Sequence, residues 1–237
     1  MDHQLSTINK NNQEKMHIQP IQLTLLNHLF YYTEVSGGGS SAAITGSFIG
    51  DLALSYAFKR QLAPMANGYE HRKQAHYSEI KDFGFYCTVA QPLAVQRTEN
   101  YIQNTLFNVD GFYDADRIQK SAKSPFKNFR QVQGIAATST FSAVWLSARP
   151  QALPPTIRIG TGRNTLVQVE AVAPTNTDVW LNAFTLKTVF GNLDKAQSLM
   201  LRENKLNFQY VLENYALIKQ LSLQEVTEIF EEVFAHA

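Results

Sequence analysis

The stretch Ile21–Phe58, IQLTLLNHLFYYTEVSGGGSSAAITGSFIGDLALSYAF, decides how the rest of the chain is read. Its opening, Ile21–Glu34, is rich in β-branched and aromatic side chains and predicts a long first strand. The run Ser36–Ser41 breaks it. From about Ser47 the apolar residues Phe48, Leu52 and Tyr56, with Ile49 and Ala53, recur at helical spacing. The helix is expected to end near Lys59 and Arg60, whose charges suit the negative end of its dipole. Pro64 and Asn67-Gly68 then mark a loop.

Outward from this strand–loop–helix opening, FGFYCTVAQPLAVQ (Phe83–Gln96) reads as a second strand, begun at Gly84. Asp110-Gly111 between aromatic flanks is a plausible hairpin turn. Arg117–Gly134 is basic, polar and helix-poor, and reads as an extended finger; Ile135–Pro150 is a further strand. PTIRIGTGRNTLVQVEAVAP (Pro155–Pro174) alternates on both sides of Gly160–Arg163, which predicts a β-hairpin. Asn176–Gly191 fits helix or extended chain, and Asn207–Leu221 fits a strand pair or a helix. Ser222 with Glu225 makes a capping box, ahead of an apolar stripe of Val226, Ile229, Phe230 and Val233. Together these predict an α+β fold, with helices covering an antiparallel sheet. A ferredoxin-like, RNA-recognition-type sheet with an extended basic finger or thumb hairpin is an economical solution. Residues 1–17 read as a mobile lead-in, 18–237 as one domain, and 97–150 as an inserted basic finger.

The 237 residues, 44% of them hydrophobic, suit one good-sized core. No apolar run of about 18 residues predicts a membrane span, and the polar N-terminus lacks the apolar core of a signal peptide. The cytoplasm is the expected address. A single cysteine, Cys87, excludes a disulfide framework or a cysteine zinc site within the chain. The net charge of +1 hides an asymmetry. Between Arg117 and Gln168 there is no acid, while the same stretch carries Arg117, Lys120, Lys123, Lys127, Arg130, Arg149, Arg158 and Arg163. Such a stretch suits contact with a polyanion or, equally, a solvated surface balanced by acids elsewhere.

The glycine run is neither a P-loop, since no Gly-Lys-Ser/Thr follows, nor a dinucleotide-binding fingerprint. It reads as a flexible insertion or as backbone amides that meet a phosphodiester, with Gly46 and Ser47 best placed for phosphate contact. The finger is more informative. Lys120, Lys123, Lys127 and Arg130 can neutralise phosphates, and Phe126 and Phe129 between them can stack on unpaired bases. Arg149, Arg158 and Arg163 extend the cationic set, the last two beside glycines that let a backbone approach a ligand. Catalytic signatures are lacking. The six histidines form no H-E-x-x-H pattern, and Asp110, Asp114 and Asp116 fit a hairpin turn better than a calcium loop. No catalytic residue, metal or cofactor is expected.

The blocks LTLLNHLFYYTEVSGG, FIGDLALSYAF, TLFNVDGFYD, LPPTIRIGTGRNTLVQVEAV and WLNAFTL, in that order, resemble the type I-D branch of the Cas-five CRISPR subunits, members of the RAMP superfamily. The resemblance spans roughly Ile21–Leu186. It implies a subunit of a Cascade-like surveillance complex that caps the backbone at the 5′ end of the crRNA and hooks its repeat-derived handle. Its implied partners are the crRNA, the Cascade backbone subunit, the large subunit and the target DNA duplex near the PAM. It implies no membrane contact. In this branch a separate nuclease normally processes the guide. The alternative from another class is a guide-processing endoribonuclease, with His28, Tyr31 or Lys59 in acid–base roles.

Overall fold

The computed structural model of the chain describes residues 16–31, 42–62, 77–104, 129–161, 164–174, 178–191, 194–205, 212 and 214–235. Its main sheet is wholly antiparallel, with the order β3 (Phe85–Cys87), β7 (Thr140–Ser147), β1 (His17–Leu25), β9 (Thr165–Ala171), β8 (Thr156–Ile159). β4 (Gln91–Ala94) pairs with the other half of β7. Strand β1 thus starts at His17, four residues before the expected Ile21, and leaves the sheet after Leu25. Leu29 returns only as a single bridge to Ile135.

Alternation fixes which side of this sheet is buried. Ile21, Leu23 and Leu25 of β1 stand beside Phe141, Ala143 and Trp145 of β7 and Val167 and Val169 of β9, and all are buried in one core. Helix α1 (Asp51–Leu62) covers that core with Leu54, Ala57 and Phe58, and Phe58 meets Trp145 at 4.7 Å between ring centroids. The opposite side is divided along the strands. Toward the start of β1, Ile18, Val144, Leu146 and Tyr86 enter a second core with the C-terminal elements. Toward its end, Gln22, Thr24, Thr140, Ser142, Thr156 and Gln168 form a half-buried polar face.

The C-terminal elements are a second sheet and three helices. β10 (Val179–Asn182), β12 (Ala216–Leu221) and β11 (Asn204–Lys205) pair in that spatial order. α2 (Ala183–Thr185) runs directly into a π-helical turn over Leu186–Phe190, followed by α3 (Asp194–Met200) and α4 (Leu223–Ala235). The stretch Asn176–Gly191 is therefore both strand and helix: Asn182 ends β10 and caps the next turn by accepting from the Phe184 amide at 3.2 Å. The capping box of α4 forms as expected. The Ser222 amide donates to Glu225 at 2.7 Å, and the Glu225 amide donates back to the Ser222 hydroxyl at 3.2 Å. None of the helices among the described residues is long and apolar enough to cross a membrane.

A third, small sheet orders β2 (Ala42–Ile44), β6 (Phe129–Gln133) and β5 (Tyr101–Asn104). β2 runs parallel to β6, and β5 runs antiparallel to it. Of the 97–150 stretch, β5 and β6 form a hairpin stem, while β7 is the second strand of the main sheet. Residues 105–128, with the turn expected at Asp110-Gly111, lie outside the described residues.

Candidate nucleic-acid interface

Three segments singled out in the sequence leave the described body at one end of the main sheet. The glycine-serine loop departs after Tyr31 and returns at β2. The basic segment departs from β5 and returns at β6. The Gly160–Arg163 tip joins β8 to β9, beside the end of β1.

Thr45 ties the first two together. Its hydroxyl accepts from the Tyr31 amide at 3.1 Å and lies 3.5 Å from the Leu29 carbonyl, to which it donates. Its amide donates to the Gln133 carbonyl at 2.9 Å, and its own carbonyl accepts from the Arg97 guanidinium. The Leu29 amide in turn donates to the Ile135 carbonyl at 2.9 Å, and Ile135 also bridges Arg97. The exit of β1, β2 and the β5–β6 stem are thus bonded as one body.

The hairpin tip joins through backbone. The Thr161 amide donates to the Phe30 carbonyl at 2.8 Å. Gly160 takes a φ of 81° and approaches the same carbonyl so closely that an added Cβ would stand 3.2 Å from its oxygen, which favours glycine here. Asn27 fastens the far side. Its side chain donates to the Asn164 carbonyl at 2.8 Å and accepts from the Leu166 amide at 2.7 Å.

The predicted contact residues divide accordingly. Arg158 is exposed on β8, opposite Leu166 and near the tip. Gly46 is buried and Ser47 half-buried, directly after Thr45. Phe129 and Arg130 are placed by their backbone in β6, paired with Asn104 and Gln103. Lys120, Lys123, Phe126, Lys127 and Arg163 lie outside the described residues. Arg149 is exposed just past the other end of β7, where Ser147 pairs with His17, so it stands at the opposite end of the sheet.

The start of α1 is closed by the protein's own acid. Asp51 is fully buried, and its carboxylate accepts from Tyr86 at 2.8 Å, from Asn182 at 3.1 Å and from Thr185. Burial pushes its pKa up, against these donors and the Leu52 amide. Burial likewise raises the Tyr86 phenol, with the Asp51 charge adding to the shift. An acidic side chain with its own set of donors already occupies the positive end of this helix dipole.

His28, Tyr31 and Lys59 are engaged elsewhere. The Ala137 amide donates to His28 Nδ1 at 3.0 Å, the Tyr31 hydroxyl donates to the Phe48 carbonyl, and the Lys59 ammonium lies 5.0 Å from the centre of the Phe83 ring. Among the described residues no group of three or more His, Cys, Asp or Glu side chains could hold a metal. Cys87 is buried, and burial raises its thiol pKa, so it is not poised as a nucleophile.

Sequence reasoning missed Thr45, Arg97, Phe30, Tyr101 and Gly134. Gly134 alone carried a signal, a glycine at the edge of a strand pattern, which marks a close backbone approach.

The family model of the type I-D CRISPR-associated protein Cas5/Csc1 matches residues 16–232. The chain belongs to that family. It is a CRISPR effector-complex subunit. Two solved structures show a likeness to the chain, both described as cryo-EM structures of the type III-B Cmr-β complex bound to cognate target RNA, one of them also with AMPPnP in state 1. Identity is 8% in each, over 91% of this chain and 93% and 94% of theirs, with TM-scores of 0.39 and 0.40. None of the curated proteins matches.

Proposed function

We propose that this Cas5/Csc1 subunit grips the 5′ handle of the crRNA and caps the complex's backbone beside the neighbouring and large subunits. The observation that carries this reading is the convergence of the loop flanks, the finger stem and the hairpin tip at one end of the sheet, bonded through Thr45 and Phe30. The strand sequence β1–α1–β3–β7–β9, with β1 central between β7 and β9, supports a ferredoxin-like RAMP body in which the edge strand β8 takes the second helix's place in the chain order. The finger is assigned to the segment between β5 and β6.

In this reading Lys120, Lys123, Lys127, Arg130, Arg158 and Arg163 hold phosphates and set register, and Phe126 and Phe129 stack on splayed bases. Gly46 and Ser47 supply amides to one phosphate. Sequence is read by guide pairing, and the protein's reading of the target is confined to the duplex beside the PAM. The engagement of His28, Tyr31 and Lys59 supports a non-enzymatic role, carried out in the cytoplasm.

Charge reversal tests the reading. With Lys123, Lys127 and Arg130 all changed to Glu, affinity for single-stranded repeat RNA should collapse. Neutralising three contacts should also flatten the log–log salt dependence by about 2. Arg149→Glu, at the far end, should do much less. Equal effects from both variants, or none from the triple one, would overturn the assignment. Discrete fragments on incubation with repeat RNA would instead establish the endoribonuclease.

A further inference from the structure

We propose that Phe30 and Tyr101, with His28 at their rim, form a stacking platform for one unpaired nucleobase. This rests on the nucleic-acid reading above and assigns base contact to residues outside the finger. The polar half of the sheet face cannot stack, because Gln22, Thr24, Thr140, Ser142, Thr156 and Gln168 offer hydroxyls and amides but no ring. The rings lie instead beyond the end of β1. Phe30 and Tyr101 stand 5.9 Å apart between centroids and 87° between planes. His28 meets Phe30 at 6.4 Å and 82°. Two rings at right angles make a corner in which a flat heterocycle can lie on one face while meeting the other's edge. Tyr101 is 46% exposed and the neighbouring Ile102 68% exposed.

The platform is held rigid from behind. Phe30 lies against Gly134, where an added Cβ would fall 2.4 Å from its ring and 2.5 Å from the Leu29 carbonyl oxygen. Its own carbonyl receives the Thr161 amide at 2.8 Å. Charge favours a nucleotide over an apolar side chain. The adjoining described elements bring Arg97, bridged to Ile135 and donating to the Thr45 carbonyl, and Arg158, whose register partner Leu166 is tied to Asn27, with the acids Glu99 just before β5 and Glu170 four residues beyond Leu166 on β9. A base on the rings would place its phosphate among cations, as single-strand binders require.

The test compares a short oligouridine RNA with a ribose-phosphate strand of equal length that lacks bases, titrated into the purified full chain. Tyr101→Ala should weaken oligouridine on the order of tenfold, the range of one lost base–ring stack, and leave the baseless strand unchanged. Tyr101→Leu, which keeps apolar bulk without a π face, should behave like Tyr101→Ala, while Tyr101→Trp should bind as the native protein does. Gly134→Ala should reproduce the loss by displacing Phe30. Equal losses on both strands, or no loss on either, would overturn the platform but leave charge-based binding intact. Unchanged oligouridine affinity with lost co-purification of the other complex subunits would reassign the rings to a protein contact. If the native chain binds neither strand, both readings fall.

Discussion

Thr45 and Asp51 are both fully inaccessible to solvent and lie six residues apart, yet Thr45 bonds mainly to backbone whereas Asp51 bonds mainly to side chains. Thr45 receives or gives bonds at Leu29, Tyr31, Gln133 and Arg97, all at the end of the sheet where the loop and finger leave. Asp51 receives Tyr86 from β3, Asn182 from β10 and Thr185 from α2, and so clamps the main sheet to the C-terminal elements. One residue ties the flanks of the loop to the β5–β6 stem; the other joins two cores. A backbone-directed hydroxyl is worth about 1 kcal/mol, but a buried carboxylate ringed by donors has more to lose, because its removal strands several partners at once.

The sharpest break in the comparison is Asp51→Ala. It should lower the stability read from urea unfolding by about 3 kcal/mol, while the protein that remains folded binds RNA as before. Loss of RNA affinity at unchanged stability would reverse the two roles. Next comes a glycine pair. Gly134→Ala should cost about 2 kcal/mol, because the backbone carbonyl of Leu29 cannot step aside. Gly50→Ala should cost at least as much, because its Cβ would stand 1.9 Å from the Tyr215 hydroxyl oxygen, and that ring packs on Phe48 with its hydroxyl buried against the Leu52 amide. A smaller loss at Gly50 would mean that the Tyr215 ring can swing away. Thr45→Val should cost about 1 kcal/mol, with faster hydrogen exchange at the Tyr31 amide and no change near Asp51.

The smallest effects are in pH. The Asp51 carboxyl is raised above its ordinary 3.8, chiefly by burial. The folded chain therefore holds that proton to higher pH than the unfolded one. Its contribution to stability falls as pH rises from 3.8 through the raised value. The Glu225 carboxyl is lowered below 4.5, chiefly by the Ser222 amide, so its contribution is present above 4.5 and fades as pH falls through the lowered value. The difference in unfolding midpoint between native protein and Asp51→Asn should slope one way with pH, and that for Ser222→Ala the other. Parallel slopes would show that Asp51 is ionised at no net cost.

The legibility of these regions in the sequence differed for a physical reason. A strand through Ile21–Leu25, the β8–β9 hairpin and the Ser222–Glu225 cap all formed as the pattern predicted. Each depends on neighbours within a few residues or on a period of two. The start of the first strand was misjudged because HIQP carries no β-branched alternation; His17–Pro20 is a strand only because β7 runs beside it. Nothing local announced that Tyr86, Asn182 and Thr185 would converge on Asp51 at the start of α1. The ring pair Phe30–Tyr101 was equally invisible: its members lie more than seventy positions apart, and Gly134, just past β6, backs Phe30.

Local pattern and composition by themselves determined an antiparallel α+β body with a long acid-free stretch, because hydrophobic period, turn chemistry and charge are properties of neighbouring residues. Only the tertiary structure decided that Arg158 and Arg149 stand toward opposite ends of the main sheet, and that Tyr86, Asn182 and Thr185 close on Asp51 at the start of α1. Register and burial couple residues more than a hundred positions apart, and that coupling exists only once the strands have paired.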